Sequence, residues 1–162
     1  MEDGIKLTEP MKMSDVEPYI HEAIAAGGSV RVLVKGSSMY PFLVNGRDSV
    51  FFEALPKRAL RSGDILLYRR TNGQYVMHRL YAVAKNGSLT FVGDNQSILE
   101  KGIRPEQLIA SVNICIRRGK MINCSRSIRN RLMILYMKMR IRLPKTTQLL
   151  TRAFIKLKHI GG

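Results

Sequence analysis

The 162 residues, 45% of them hydrophobic and 24% charged, suffice for one domain with its own core plus an appendage. This composition excludes collagen-like, low-complexity and disulfide-rich architectures. The net charge of +15 is lopsided: residues 1–116 hold 14 Lys/Arg against 12 Asp/Glu, whereas residues 117–162 hold 13 Lys/Arg and no acidic residue. Such asymmetry marks the C-terminal stretch as an appendage with its own partner.

The first residues are polar and acidic, unlike the basic start and apolar core of a secretory signal. No window approaches the ~18–20 uncharged apolar residues that span a bilayer. The expected location is therefore cytoplasmic, with peripheral membrane attachment left open. Residues 14–26 predict a helix: Ser14 suits the N-cap, Glu17 completes a capping box, and Gly27-Gly28 ends it. Residues 29–35 alternate, with Val30, Val32 and Val34 on one face, and predict a strand. Residues 48–53 and 64–70 predict two more. Asn72-Gly73 is a hairpin signal leading into QYVMHRLYAV, and Asn86-Gly87 repeats it before SLTFVGD. Residues 108–118 predict another strand, from which Gly119 turns into a short partner at 120–124. Cys115, between two isoleucines, is expected as a buried thiol.

In residues 125–143, Ile128, Leu132, Leu135, Tyr136, Met139 and Leu143 recur at three- and four-residue steps among arginines and lysines. Residues 146–160 repeat the pattern after Pro144. The chain thus divides into an N-terminal extension and helix (1–28), a β domain (29–118) and a basic, amphipathic, two-helix tail (119–162). The fold class is mainly β and antiparallel. His21, His78 and His159 lie far apart, and no Cys/His cluster has zinc-ligand spacing, so neither metal nor cofactor is expected.

Two segments carry chemistry. The first holds Ser38-Met39-Tyr40-Pro41 and Gly46-Arg47-Asp48; the second holds Gly63-Asp64, His78-Arg79 and Gly93-Asp94-Asn95. In this order, over residues 29–115, they resemble the signal peptidase I / LexA-like serine peptidase superfamily. The marks are a Ser-Met-x-Pro nucleophile turn, two Gly-Asp turns before strands, and a basic residue followed by Arg. Bacterial signal peptidases and LexA-type repressors place lysine before that Arg. The archaeal and endoplasmic-reticulum branch places histidine there, as Met77-His78-Arg79 does. The resemblance implies a coiled antiparallel β catalytic domain.

It also implies a serine nucleophile, Ser38, with His78 as general base. A serine hydroxyl attacks poorly until a neighbouring base takes its proton, and a neutral imidazole suits that task. Such a base usually has a third group to fix its tautomer. Asp94, in the stretch matching the family's Gly-Asp-Asn, and Glu100, a few residues on, both stand as candidates. Backbone N–H groups at the nucleophile turn, including that of Ser38, are candidates for an oxyanion hole, with Ser37 a further one. Gly36 occupies the place where many signal peptidases carry a hydroxyl. Met39, Tyr40, Phe42 and Leu43 are candidates for substrate pockets or for core. Asp48 and Asp64 are read as turn residues bonded to local backbone.

The implied activity is endopeptidase cleavage of a peptide or leader precursor. The alternative is a non-catalytic or self-cleaving LexA-like regulatory module. The tail, residues 125–160, suits an anionic membrane surface or a membrane-bound partner ahead of nucleic acid. It combines lysine and arginine with large apolar side chains and shows no helix-turn-helix or aromatic platform.

Overall fold

The computed structural model describes residues 12–125 and 127–142. The second tail helix expected at 146–160, and Leu143, lie outside the described residues. The fold is mainly β: among the described residues, nine strands form two antiparallel sheets, with one α-helix N-terminal to them and one C-terminal.

Helix α1 spans Met13–Ala25 and starts one residue earlier than expected. Its N-cap is Lys12, which makes no side-chain cap bond. Ser14 lies inside the helix and bonds Asp15, and Glu17 reaches away to Tyr75 and Arg69, so the expected capping box does not form. Those long-range partners draw the Glu17 carboxylate away from the helix start. The C-terminal stop follows expectation. Gly27 takes φ +76°, its N–H bonds the Ile24 carbonyl at 3.0 Å, and Gly28 N–H bonds that of Ala23 at 2.8 Å. This left-handed cap satisfies carbonyls that the helix leaves open. Val16 and Ile20, one turn apart, are the buried face.

The four-stranded sheet has the order β1-β2-β8-β9 and comprises β1 (Val30–Leu33), β2 (Asp48–Phe52), β8 (Ile114–Arg117) and β9 (Lys120–Asn123). The five-stranded sheet has the order β6-β5-β4-β3-β7. Its strands are β3 (Ile65–Arg69), β4 (Tyr75–Val83), β5 (Leu89–Val92), β6 (Glu100–Ile103) and β7 (Leu108–Val112). The two Asn-Gly signals sit at the β3–β4 and β4–β5 turns, with Gly73 at φ +83° and Gly87 at φ +82°. The Asn72 and Asn86 side chains accept N–H groups two residues on, each at 3.1 Å.

The strand expected over 108–118 is broken at Asn113 and divided between the sheets. Before it the chain pairs with β3; after it the chain pairs with β2. Asn113 donates to Glu53 at 3.0 Å and accepts Cys124 N–H at 2.6 Å, which fixes the corner. The Glu53–Ser111 bridge, with two N–H···O bonds of 2.9 Å, stitches the sheets together beside it.

The main core includes Val16 and Ile20 of α1 together with Val50, Phe52, Ile65, Leu67, Val112 and Cys115. A second cluster holds Leu66, Tyr68, Leu80, Leu89, Phe91 and Ile103. Alternate residues of β3 belong to the two clusters, so both faces of that strand are covered. This explains the unbroken apolar run of ILLY. Cys115 and Cys124 are free and buried. Among the described residues, no helix is long and apolar enough to cross a membrane.

Candidate active site

The loop between β1 and β2 carries Ser38. Its neck is closed by Val34 N–H bonding Asp48 O at 2.8 Å and Gly46 N–H bonding Val34 O at 3.0 Å. Asp48 anchors its base: the buried carboxylate accepts Val44 N–H at 3.0 Å and is gripped by Arg47 and Arg117. Burial raises its pKa, but the bonds from Arg47, Val44 N–H and Arg117 together hold it below the ordinary aspartate value. Asp64, likewise, accepts Arg61 N–H at 3.0 Å in the turn before β3.

At the loop's crown, Tyr40 N–H bonds Ser37 O at 3.1 Å and Leu43 N–H bonds Met39 O at 2.8 Å, turning the chain around Ser38. Met39, Phe42 and Leu43 are buried and pin the turn to the core. Gly36, at φ +84°, donates its N–H to the Asn45 side chain at 3.0 Å. Among the described residues, the N–H groups of Ser38 and Met39 have no acceptor. They are the donors available to an oxyanion.

A second segment clamps the turn from outside. Asn95 N–H donates to Ser38 O at 2.7 Å. Gly93 makes the approach possible, because a Cβ there would stand 2.7 Å from Ser38 O and 2.9 Å from the Gln96 side-chain oxygen. Asp94 turns the other way. Both its oxygens accept from Arg79, at 2.7 Å each, and both side chains are fully buried. Arg79 also donates to Gly63 O at 3.0 Å and to Asn130, and lies 4.8 Å from the Phe42 ring centroid. The buried guanidinium is thus paired and bonded on several sides.

His78 occupies the middle of β4, opposite Leu66 of β3, and is 3% exposed. Its Nδ1 lies 3.3 Å from Tyr68 Oη and 4.0 Å from Glu100 Oε2. Tyr68 donates to Glu100 at 2.8 Å, and Arg70 clasps the same carboxylate with two bonds of 2.6 Å. Foremost through its bonds to Arg70, Glu100 is held below the ordinary glutamate value and stays charged. Burial pushes the Tyr68 phenol well up, so it keeps its proton. A phenol has one proton, and here it goes to the carboxylate, so its oxygen accepts from His78 Nδ1–H. The remaining nitrogen, Nε2, is therefore the basic one. Burial lowers the His78 pKa to about 4, against the opposing pull of Glu100, so the ring is neutral at neutral pH.

Ser38 and His78 line one cleft of about 270 Å³, together with Gly36, Met39, Met77 and Gln96 among others. Among the described residues no hydrogen bond joins Ser38 Oγ to the ring. Of the two candidate carboxylates, the fold brings Glu100 to His78 and commits Asp94 to Arg79. Ser37 is exposed and Tyr40 half-buried; neither lines the cleft, whereas Met39 forms part of its wall.

Tyr68, Arg70 and Gln96 were not among the residues that sequence reasoning singled out. Tyr68 was within reach of it. The Asn72-Gly73 turn sets the register Tyr68↔Val76 and Leu66↔His78, which makes Tyr68 and His78 diagonal neighbours on one face. Compared with known proteins, the chain matches no family model and no curated relative.

Proposed function

We propose that this chain is a serine endopeptidase of signal-peptidase-like type, cleaving a peptide or leader precursor. The carrying observation is that Ser38 and His78 line one cleft while Tyr68, itself bonded to Glu100, engages Nδ1 of the ring. On this reading, His78 Nε2 takes the proton from Ser38 Oγ as that oxygen attacks the scissile carbonyl. The N–H groups of Ser38 and Met39 receive the oxyanion. The imidazolium returns its proton to the leaving amine, and water, activated by the same nitrogen, releases the acyl-enzyme. The coiled sheet of the signal peptidase / LexA-like superfamily is part of the same proposal. The ordered motifs and the antiparallel strands that carry them support it.

Substrate reaches the cleft along β1. This strand is an edge of its sheet, Leu33 on it is 48% exposed, and Val34, Lys35 and Gly36 continue from it into the cleft wall. An unpaired edge accepts an extended peptide as an added strand, with side-chain pockets reading alternate residues. Cleavage of candidate leader peptides, alongside labelling by a serine-reactive phosphonate, tests the proposal. Both are expected to vanish in Ser38→Ala and to fall steeply in His78→Gln. Undiminished cleavage by Ser38→Ala would reject it and leave a non-catalytic binding module.

A further inference from the structure

Helix α2, Ile128–Arg142, has two different apolar faces. The inner face holds it to the β domain. Asn130 bonds Arg79 and the Ser125 carbonyl, Met137 is 2% exposed, and Arg140 donates to Asn95 O at 3.1 Å. Ile134 fills the space over Gly63, where a Cβ would stand 2.3 Å from its Cδ1. The outer face carries Ile128, Leu132, Leu135 and Met139, exposed by 74, 60, 56 and 43%. Steps of four, three and four residues align them in one stripe on the side opposite Met137.

Exposed Arg131, Lys138 and Arg142 run along one margin of that stripe, and exposed Arg129 lies beyond the other. The helix has no acidic residue, and by sequence residues 143–162 add four more Lys/Arg and no Asp or Glu. Four large apolar side chains in a row, bordered by cations, fit a surface that is anionic outside and apolar just beneath. Nucleic acid would answer the cations and leave the stripe in water. A second copy of the face would bring like charges together. At 15 residues the helix is about 22 Å long, too short to cross a bilayer but suited to lying in its interface.

We propose that the outer face of α2 docks on an anionic lipid bilayer. Ile128, Leu132, Leu135 and Met139 enter the headgroup boundary while the flanking cations pair with lipid phosphates. This does not rest on the peptidase reading, although it would set the cleft at a membrane surface. Arg140, on the inner face, bonds the segment whose Asn95 N–H holds Ser38 O.

The test is co-sedimentation of the full-length Ser38→Ala chain with vesicles of phosphatidylcholine plus phosphatidylglycerol, against pure phosphatidylcholine. Partition is expected on the anionic vesicles and is expected to weaken as salt is raised. It should fall at least about tenfold in Leu132→Gln/Leu135→Gln, whose changes are solvent-facing and leave the unfolding midpoint in place. Unchanged partition of that double variant would overturn the proposal. So would absence of binding to anionic vesicles at low salt, or loss of self-association in the variant without any vesicle binding. Because the serine is already absent, none of these outcomes bears on catalysis.

Discussion

The phenol of Tyr68 donates to Glu100 at 2.8 Å and lies 3.3 Å from His78 Nδ1, so one buried hydroxyl links the carboxylate to the imidazole. The carboxylate also acts on the ring by charge from 4.0 Å, but the hydrogen-bonded link is made through a neutral group. Tyr68→Phe keeps the stacking on Phe91, whose ring centroid is 4.5 Å away, and removes only the link. A lost hydrogen bond to a charged partner costs about 1.5–3 kcal/mol, so kcat for peptide cleavage should drop roughly 10- to 100-fold with KM little changed. Equal kcat in Tyr68→Phe and the unmodified chain would show that the ring needs no such link.

The buried state of His78 gives the pH profile a sign. With the folded pKa lowered to about 4, the ring stays neutral well into acid, so the acidic limb of kcat/KM should fall near pH 4. An exposed histidine would place it near 6.5. Stability follows the same linkage. Between about 6.5 and 4 the unfolded imidazole binds a proton that the folded one does not, so acidification favours unfolding across that window. The loss amounts to about 3 kcal/mol at most. Denaturation midpoints against pH, with His78→Gln as reference, should show this slope only in the chain that keeps the histidine.

The two acidic residues near the cleft should separate by phenotype. Asp94→Ala strips a buried guanidinium of its counter-charge, which costs about 3–5 kcal/mol. Glu100 is partly exposed, and Glu100→Gln should leave the unfolding midpoint nearly in place while kcat falls. Denaturant titration of both variants, run beside peptide cleavage, checks this. A stable Asp94→Ala protein with reduced kcat alone would reverse the assignment.

Gly93→Ala would drive a methyl group to 2.7 Å from Ser38 O. Either the Ser38 turn moves outward or the 93–96 segment does, and in both cases the 2.7 Å bond from Asn95 N–H is lengthened. Overpacking of this kind costs about 1–3 kcal/mol, and displacing a nucleophile by an ångström costs on the order of 100-fold in rate. Normal labelling of Gly93→Ala by a serine-reactive phosphonate would show that the turn does not depend on this contact.

Much of the β framework was legible along the chain because its signals are local. Alternation marked β1, β-rich composition marked β2, and the two Asn-Gly pairs set the hairpins around β4. A glycine pair marked the end of α1. Local signals misled where distant groups competed for the same atoms. Glu17 left its expected cap for Tyr75 and Arg69, and the run 108–118 was split because Asn113 is held by Glu53 and by Cys124 N–H. Strand β6 went unread, since EKGI has neither alternation nor an apolar run.

The order of residues determined the basic character of the tail, and through its ordered motifs and their resemblance to a known superfamily it offered the candidate serine and histidine and the two possible carboxylates. Those depend on residue type and spacing, which a one-dimensional pattern preserves. Only the tertiary structure decided that Glu100 reaches His78 through Tyr68, that Asp94 belongs to Arg79, and that the Ile128–Leu132–Leu135–Met139 stripe faces outward. Each of those choices sets one partner against another across sheets and helices. Burial and competing charges settle such choices, and they exist only once the chain has folded back on itself.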